Sequence, residues 1–400
     1  MTGFGNKILI KRQRSCFMYK FKRSLRLFCI LTVCALIFPT GALASSFQPD
    51  IPCKAAVLKE AISGKILYEK NKDEKMSPAS ITKIMSLLIA GEALEDGKIN
   101  LDDKVTASKE ASSMGGSQIW LKENEVMTVD ELLKAASVAS ANDATVALGE
   151  HIAGSEESFV ALMNERAEEL GLKNTQFKNC TGLDEEGHFT TAEDISIVAE
   201  EVLKHPLILK YTSIWMDELR GGKTKLVNTN KLVRFYKGAT GLKTGTTDKA
   251  GCCLCATAER DNLPLIAVSL GSESSKERFL SCKKLLDHGF ANYKAINSPS
   301  LKEALNSVRV KKGALRFVGV KAECPEFLVS EKGKKAPLKL KIEREEHLQA
   351  PVEENTKIGT VEIMQGDDIL SRISLLTAYP IKELTYTISI KRIFNNIFAF

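Results

Sequence analysis

Histidine is scarce in this chain. The 400 residues hold five, His151, His188, His205, His288 and His347, scattered and at no ligand spacing. A catalytic histidine and a histidine metal centre therefore find no support. A real excess of positive charge is also missing. The formal net charge is +6, but residues 1–44 carry eight of the fifty-six basic side chains and no acidic one. The remainder holds forty-eight basic against fifty acidic groups, which removes the electrostatic footprint of a nucleic-acid binder. A disulfide framework is absent as well. Three of the ten cysteines (Cys16, Cys29, Cys34) fall in the first 44 residues. The seven that follow, Cys53, Cys180, Cys252, Cys253, Cys255, Cys282 and Cys324, are odd in number and irregular in spacing. Cys252-Cys253-Leu254-Cys255 has no companion pair and reads as a buried strand, where cysteine packs as a small hydrophobe. No metal and no cofactor is expected. With 44% hydrophobic and 26% charged residues the chain is globular, and its length admits more than one domain.

The basic residues of the N-terminus lead into one short apolar run, Leu27 to Phe38, followed by Pro39 and Ala42-Leu43-Ala44. A charged region, an apolar core and a small-x-small site read as a secretory signal peptide over 1–44, cut after Ala44. An uncleaved anchor is the alternative, though the run is short for a span. Met18 is a second possible start. The mature protein is expected outside the cytoplasmic membrane.

Residues 55–70 read as a hairpin around Ser63-Gly64-Lys65. A helix is expected from Pro78, capped by Ser77, with Ile81, Ile84, Met85, Leu88 and Ile89 at helical spacing. The pattern is mostly helical from about 128 to 205, then returns to short β-type runs from about 240, with a helix from Lys276 to about Tyr293. Strands, helices, then strands predict an α+β fold over 45–297, in which the first and last strands share one antiparallel sheet flanked by helices. Ser298-Pro299-Ser300 reads as a linker into a small all-β domain over 298–383. The final segment, 384–400, sets Ile390, Ile393, Phe394, Ile397 and Phe398 on one helical face and Lys391, Arg392, Asn395 and Asn396 on the other. It suits lying in a membrane surface. Its alternative is a helix packed on the β domain, and Leu384 to Ile390 also alternates as a strand would.

Three motifs carry the chemistry. Ser80 and Lys83 stand three residues apart at a helix start, on one face and within reach of each other. A serine hydroxyl becomes a nucleophile if a neutral lysine takes its proton, which requires burial or a nearby cation to depress the lysine pKa. Lys243 is the candidate cation. Ser140 and Asn142 follow in a Ser/Ala-rich turn, Ser140 able to pass a proton to a leaving amine and Asn142 able to tether Lys83 and hold a substrate amide. Lys243, Thr244 and Gly245 read as a strand. There Gly245 leaves room for an extended substrate, Lys243 and Thr244 face a carboxylate, and the N–H of Thr246 serves an oxyanion. The spacing alone is common: Ser281-Cys282-Lys283-Lys284 matches Ser-x-x-Lys too, in a helix that reads as surface.

Together the strings Ser77-Pro-Ala-Ser-Ile-Thr-Lys83, Ser140-Ala-Asn-Asp-Ala144, Gly187-His-Phe-Thr-Thr-Ala192 and Gly241 to Gly251 resemble those of the low-molecular-mass penicillin-binding proteins, the D-alanyl-D-alanine carboxypeptidases. The resemblance covers about 50–295 closely and the rest more loosely. It implies a β-lactamase/transpeptidase-like catalytic domain and a serine acyl-enzyme on Ser80. It also implies removal of the terminal D-Ala from peptidoglycan stem pentapeptides, inhibition by β-lactams, and action at the outer face of the cytoplasmic membrane or in the wall. One departure is Thr229, between Asn228 and Asn230, where some relatives have an arginine for the substrate carboxylate. The alternatives are a β-lactamase, a D,D-endopeptidase on the same site, and a non-catalytic wall-binding or β-lactam-sensing protein. Against a β-lactamase, the second motif is Ser-Ala-Asn, and no Glu-x-x-Leu-Asn string lies between Asn142 and Lys243.

Overall fold

The computed structural model of the chain describes residues 49–387 and residue 390. The expected signal peptide, 1–44, lies outside the described residues, as does most of the segment 384–400.

The framework is a five-stranded antiparallel sheet. Its strands are β1 (Ala55–Glu60), β2 (Ile66–Lys70), β3 (Ala239–Thr247), β4 (Gly251–Arg260) and β5 (Leu263–Ser272), in the order β2-β1-β5-β4-β3. The N-terminal hairpin thus joins strands more than 200 residues downstream through the β1–β5 pair, in register from Ala55↔Leu270 to Glu60↔Leu265. The hairpin turn is closed by the Glu60 carboxylate, which accepts from the backbone N–H of Ile62, Ser63 and Lys65. The sheet is buried on both faces. Alternate β1 residues divide between two cores: Ala55 and Val57 face one, Ala56 and Leu58 the other.

On the first face lies helix α1 (Lys83–Glu95), apolar nearly all round and buried accordingly, with α2 (Asn142–Ala153) and α3 (Ala192–Val202) beside it. On the second face lies α4 (Ser275–Asn292), seated through Cys282, Leu285 and Leu286. The fold is α+β, a helix-flanked antiparallel sheet followed by an all-β region. The all-β region has its own core, built from Val308, Val361, Ile363, Leu375 and their neighbours. The chain enters it through a strand, Tyr293–Asn297, that pairs antiparallel with Phe327–Glu331. Ser298, read as the start of a linker, is hydrogen-bonded to Glu326 and Pro325 rather than free. Cys253 and Cys255 are fully buried in β4, and the seven cysteines from Cys53 onward are all free thiols. At the end of the described chain, Leu384 donates to Lys312, and Tyr386 and Thr387 are helical rather than extended.

Candidate active site

Ser80 stands on a single 3-10 turn, Ala79–Thr82, that precedes α1. Ala79 has φ +48, in the left-handed region, so the helix does not begin at Pro78 as its pattern suggests. Ser77 consequently caps nothing; its hydroxyl donates to Asp184 Oδ1 at 2.7 Å. α1 opens at Lys83, which is fully buried while Ser80 is half-buried.

The Lys83 Nζ lies within hydrogen-bond distance of three oxygens: Ser80 Oγ at 3.0 Å, Asn142 Oδ1 at 2.6 Å and the Thr181 carbonyl at 2.7 Å. Burial lowers its pKa from the ordinary lysine value to about 7. Of the two causes that the sequence offers, burial or a nearby cation, burial leads. The candidate cation is Lys243. That residue is also fully buried, and its pKa lies well below the ordinary value through burial first, then Lys83 and Arg278.

Asn142 is fixed from three sides. Its backbone N–H donates to Ser117 O at 2.7 Å and its Nδ2 to Gly115 O at 2.7 Å, which turns Oδ1 toward Lys83. Ser140, at φ +63, ends a π-helical turn (Ala135–Ala139) and swings the chain into α2. Its residue is buried, and its hydroxyl makes no hydrogen bond among the described residues. Asp143, almost wholly buried, accepts from the N–H groups of Ile119 and Leu121 and so holds the 115–121 loop over the start of α2.

The third motif lies on β3, the open edge of the sheet. Gly245 stands there in close approach to the turn that carries Ser80. A Cβ on it would stand 3.0 Å from Ser80 N, from Ile81 N and from Ala79 Cβ. This adds a reason for the missing side chain beside the room it leaves for a substrate. The Lys243 Nζ donates to Thr244 O at 3.3 Å. Thr244 Oγ1 donates to Thr229 Oγ1 at 2.7 Å, so the residue singled out as a departure does stand beside the third motif. Its loop is held by Asn228, which donates to Thr212 and Ile214 carbonyls, and by Asn230, which donates to Gly241 O.

Several site residues lie outside the three motifs. The Thr181 carbonyl is a backbone acceptor that no residue type announces. Gly182, at φ +87, packs so tightly that a Cβ would stand 1.8 Å from Ala79 O. His188 Nε2 meets Thr82 Oγ1 at 2.9 Å while its Nδ1 accepts from Lys178 N at 3.4 Å. The ring is therefore neutral, with burial lowering its pKa to about 4. Arg278 on α4 donates to Gly245 O at 3.0 Å and Thr246 Oγ1 at 2.7 Å. Of these only His188 lies in a string that the sequence singles out, Gly187 to Ala192. The decoy pair proves structural: Ser281 donates to Pro52 O and Lys284 to Asp50 O, and Ser281 is buried rather than on the surface. Among the described residues, Glu92, Glu201 and His205 form one group with metal-ligand spacing. Arg166 already matches its carboxylates at 2.7 and 3.4 Å.

A half-buried serine facing a fully buried lysine of depressed pKa, beside an edge strand, defines a serine–lysine acyl-transfer enzyme. Residues 43–274 match the D-alanyl-D-alanine carboxypeptidase family, and residues 298–383 match the C-terminal domain of penicillin-binding protein 5. The chain is 43% identical over 343 residues to the D-alanyl-D-alanine carboxypeptidase DacF of Bacillus subtilis, covering 85% of this chain and 88% of that protein. Penicillin-binding protein 5 from Haemophilus influenzae superposes with a TM-score of 0.75 at 33% identity, over 84% of this chain and 99% of that one. Penicillin-binding protein D2 from Listeria monocytogenes, solved in an ampicillin-bound form, superposes with a TM-score of 0.56 at 31% identity, over 60% of this chain and all of that one. The chain belongs to the D-alanyl-D-alanine carboxypeptidase family.

Proposed function

We propose that this protein is a serine D-alanyl-D-alanine carboxypeptidase that removes the terminal D-Ala from peptidoglycan stem pentapeptides, with Ser80 as nucleophile and Lys83 as base. The observation that carries the assignment is the fully buried Lys83 Nζ, with a pKa near 7, at 3.0 Å from Ser80 Oγ. Neutral Lys83 has two N–H bonds and one lone pair. The N–H groups go to Asn142 Oδ1 and Thr181 O, and the lone pair then faces the Ser80 hydroxyl.

Ser80 loses its proton to Lys83 as its Oγ bonds to the carbonyl carbon of the penultimate D-Ala. The oxyanion is met by the N–H groups of Ser80 and Thr246. The C–N bond breaks as the proton passes from Lys83, by way of Ser140, to the departing D-Ala amine. Water, deprotonated by Lys83, then releases the acyl group and restores Ser80. Thr244, Lys243 and Thr246 bind the terminal carboxylate, and that carboxylate supplies the counter-charge that lets Lys243 hold its proton. Gly245 admits the nucleophile turn to the strand edge along which the peptide lies. A β-lactam acylates the same serine.

The domain division that fits this reading is a signal peptide over 1–44, a catalytic domain over 45–297, a β domain over 298–383 and a membrane-surface segment over 384–400. Export and the basic, apolar tail favour the outer face of the cytoplasmic membrane. The deciding experiment is release of D-Ala from diacetyl-Lys-D-Ala-D-Ala. Wild-type protein releases it and Ser80→Ala does not; retained release by the variant would overturn the assignment. Fast hydrolysis of penicillin instead would favour a β-lactamase.

A further inference from the structure

Ser80 and Thr246 belong to different segments, the nucleophile turn and the edge strand β3, and no backbone hydrogen bond of the sheet joins the two. Something must set the gap between their N–H groups. One part is the contact at Gly245, where an added Cβ would press on Ser80 N, Ile81 N and Ala79 Cβ at 3.0 Å. The other stands at the far side of the turn. A single oxygen, Asp184 Oδ1, accepts from Ser77 Oγ at 2.7 Å and from Thr247 Oγ1 at 2.9 Å. Ser77 precedes the nucleophile by three residues, and Thr247 follows Thr246 directly. Thr247 Oγ1 in turn accepts from Ala250 N at 3.0 Å, which ties the clasp to the turn between β3 and β4.

The segment that carries Asp184 is itself anchored. Asn179 Oδ1 accepts from Gly182 N at 2.7 Å, Gly182 packs against Ala79, and the Thr181 carbonyl holds Lys83. Asp184 is thus presented by the same loop that orients the base, on a stiff support.

We propose that Asp184 is a positioning residue for this reaction, which sets the spacing of the Ser80 and Thr246 oxyanion donors by clasping the nucleophile turn to the end of β3. The inference rests on the assignment of Ser80 as nucleophile. The oxyanion exists only in the transition state, so a loosened clasp lowers turnover more than it weakens substrate binding. Charged-acceptor bonds at an exposed carboxylate are modest, and the expected effect is accordingly about tenfold.

The test compares Asp184→Ala, Asp184→Asn, Ser77→Ala and Thr247→Val on diacetyl-Lys-D-Ala-D-Ala, with thermal midpoints measured alongside. Asp184→Ala should lower kcat about tenfold with KM within about twofold. Asp184→Asn keeps the accepting Oδ1 and should stay within about threefold of wild type. Ser77→Ala and Thr247→Val should each lose part of the rate, and neither should lose more when Asp184→Ala is already present. Asp184→Ala with unchanged kcat overturns the proposal. So does a matched fall in thermal midpoint with normal kcat in the folded fraction, or additive losses in the double variants. If Asp184→Ala does not fold, the Asn variant and the two hydroxyl variants decide by the same criteria. Wild-type protein inactive on this substrate would instead sink the assignment of the reaction.

Discussion

The pH dependence of acylation is the sharpest consequence of the buried lysine. Lys83 can accept the Ser80 proton only when it is neutral, and its pKa is about 7. The neutral fraction is then about 0.9 at pH 8 and about 0.01 at pH 5, so acylation by labelled penicillin should fall nearly a hundredfold, with slope one below the midpoint. Stopped-flow acylation across pH 5–9 reads this directly. Lys83→Arg keeps a cation that cannot be deprotonated and should lose about 10²–10⁴ in rate. The same shift acts on stability with a defined sign. The unfolded chain holds this proton up to the ordinary lysine pKa and the fold only to about 7. Between those values the unfolded state binds more protons, so stability rises with pH through the window, by up to about 5 kcal/mol. A flat acylation profile from pH 5 to 8, or a midpoint near the ordinary lysine value, would refute the reasoning.

Other outcomes follow from single contacts. Gly245→Ala drives a methyl against Ser80 N, Ile81 N and Ala79 Cβ; it should cost about 1–3 kcal/mol in denaturant unfolding and slow acylation, because the nucleophile turn must shift. Gly182→Ala meets Ala79 O and a positive φ at once, and should abolish soluble folded protein. His188 is held neutral with a pKa near 4; its folded pKa lies below the unfolded one, so stability should fall as pH drops from about 6.5 to about 4, by about 3 kcal/mol. Thr82→Val removes its Nε2 partner and should cost about 1–3 kcal/mol in thermal or denaturant unfolding. A chain ending at Thr387, expressed with its signal, should leave the membrane fraction on cell lysis; persistent sedimentation with membranes would refute the tail as anchor.

The legible part of the site was the part written in side chains. Ser80, Lys83, Asn142 and Lys243 each occupy a spot that local patterning marks: an apolar helix start, the start of a second helix, a β-type run. The sheet that gathers them was legible in outline, because apolar hairpin and strand runs bracket a helical middle. What stayed hidden is written in backbone or in distance. The Thr181 carbonyl has no residue signature. Asp184 and Arg278 reach the site from a loop and a helix whose sequences advertise other things, acidic turn residues in one case and a decoy Ser-x-x-Lys in the other. Ser77 was noticed for a reason the structure replaces, and Gly245 for a reason to which it adds a second. A left-handed Ala79 denies Ser77 its cap, and the turn that carries Ser80 approaches Gly245 closely. Burial was one of the two causes that the sequence offered for the Lys83 shift, but its extent is a property of the packed fold and not of a motif.

The central claim is that Ser80, and not the equally well-spaced Ser281, forms the acyl-enzyme. Mass spectrometry of the protein after exposure to penicillin tests it most directly. The account predicts one covalent adduct, on the peptide that contains Ser80, present in Ser281→Ala and absent in Ser80→Ala. An adduct that persists in Ser80→Ala, or that maps to the peptide containing Ser281, would contradict it.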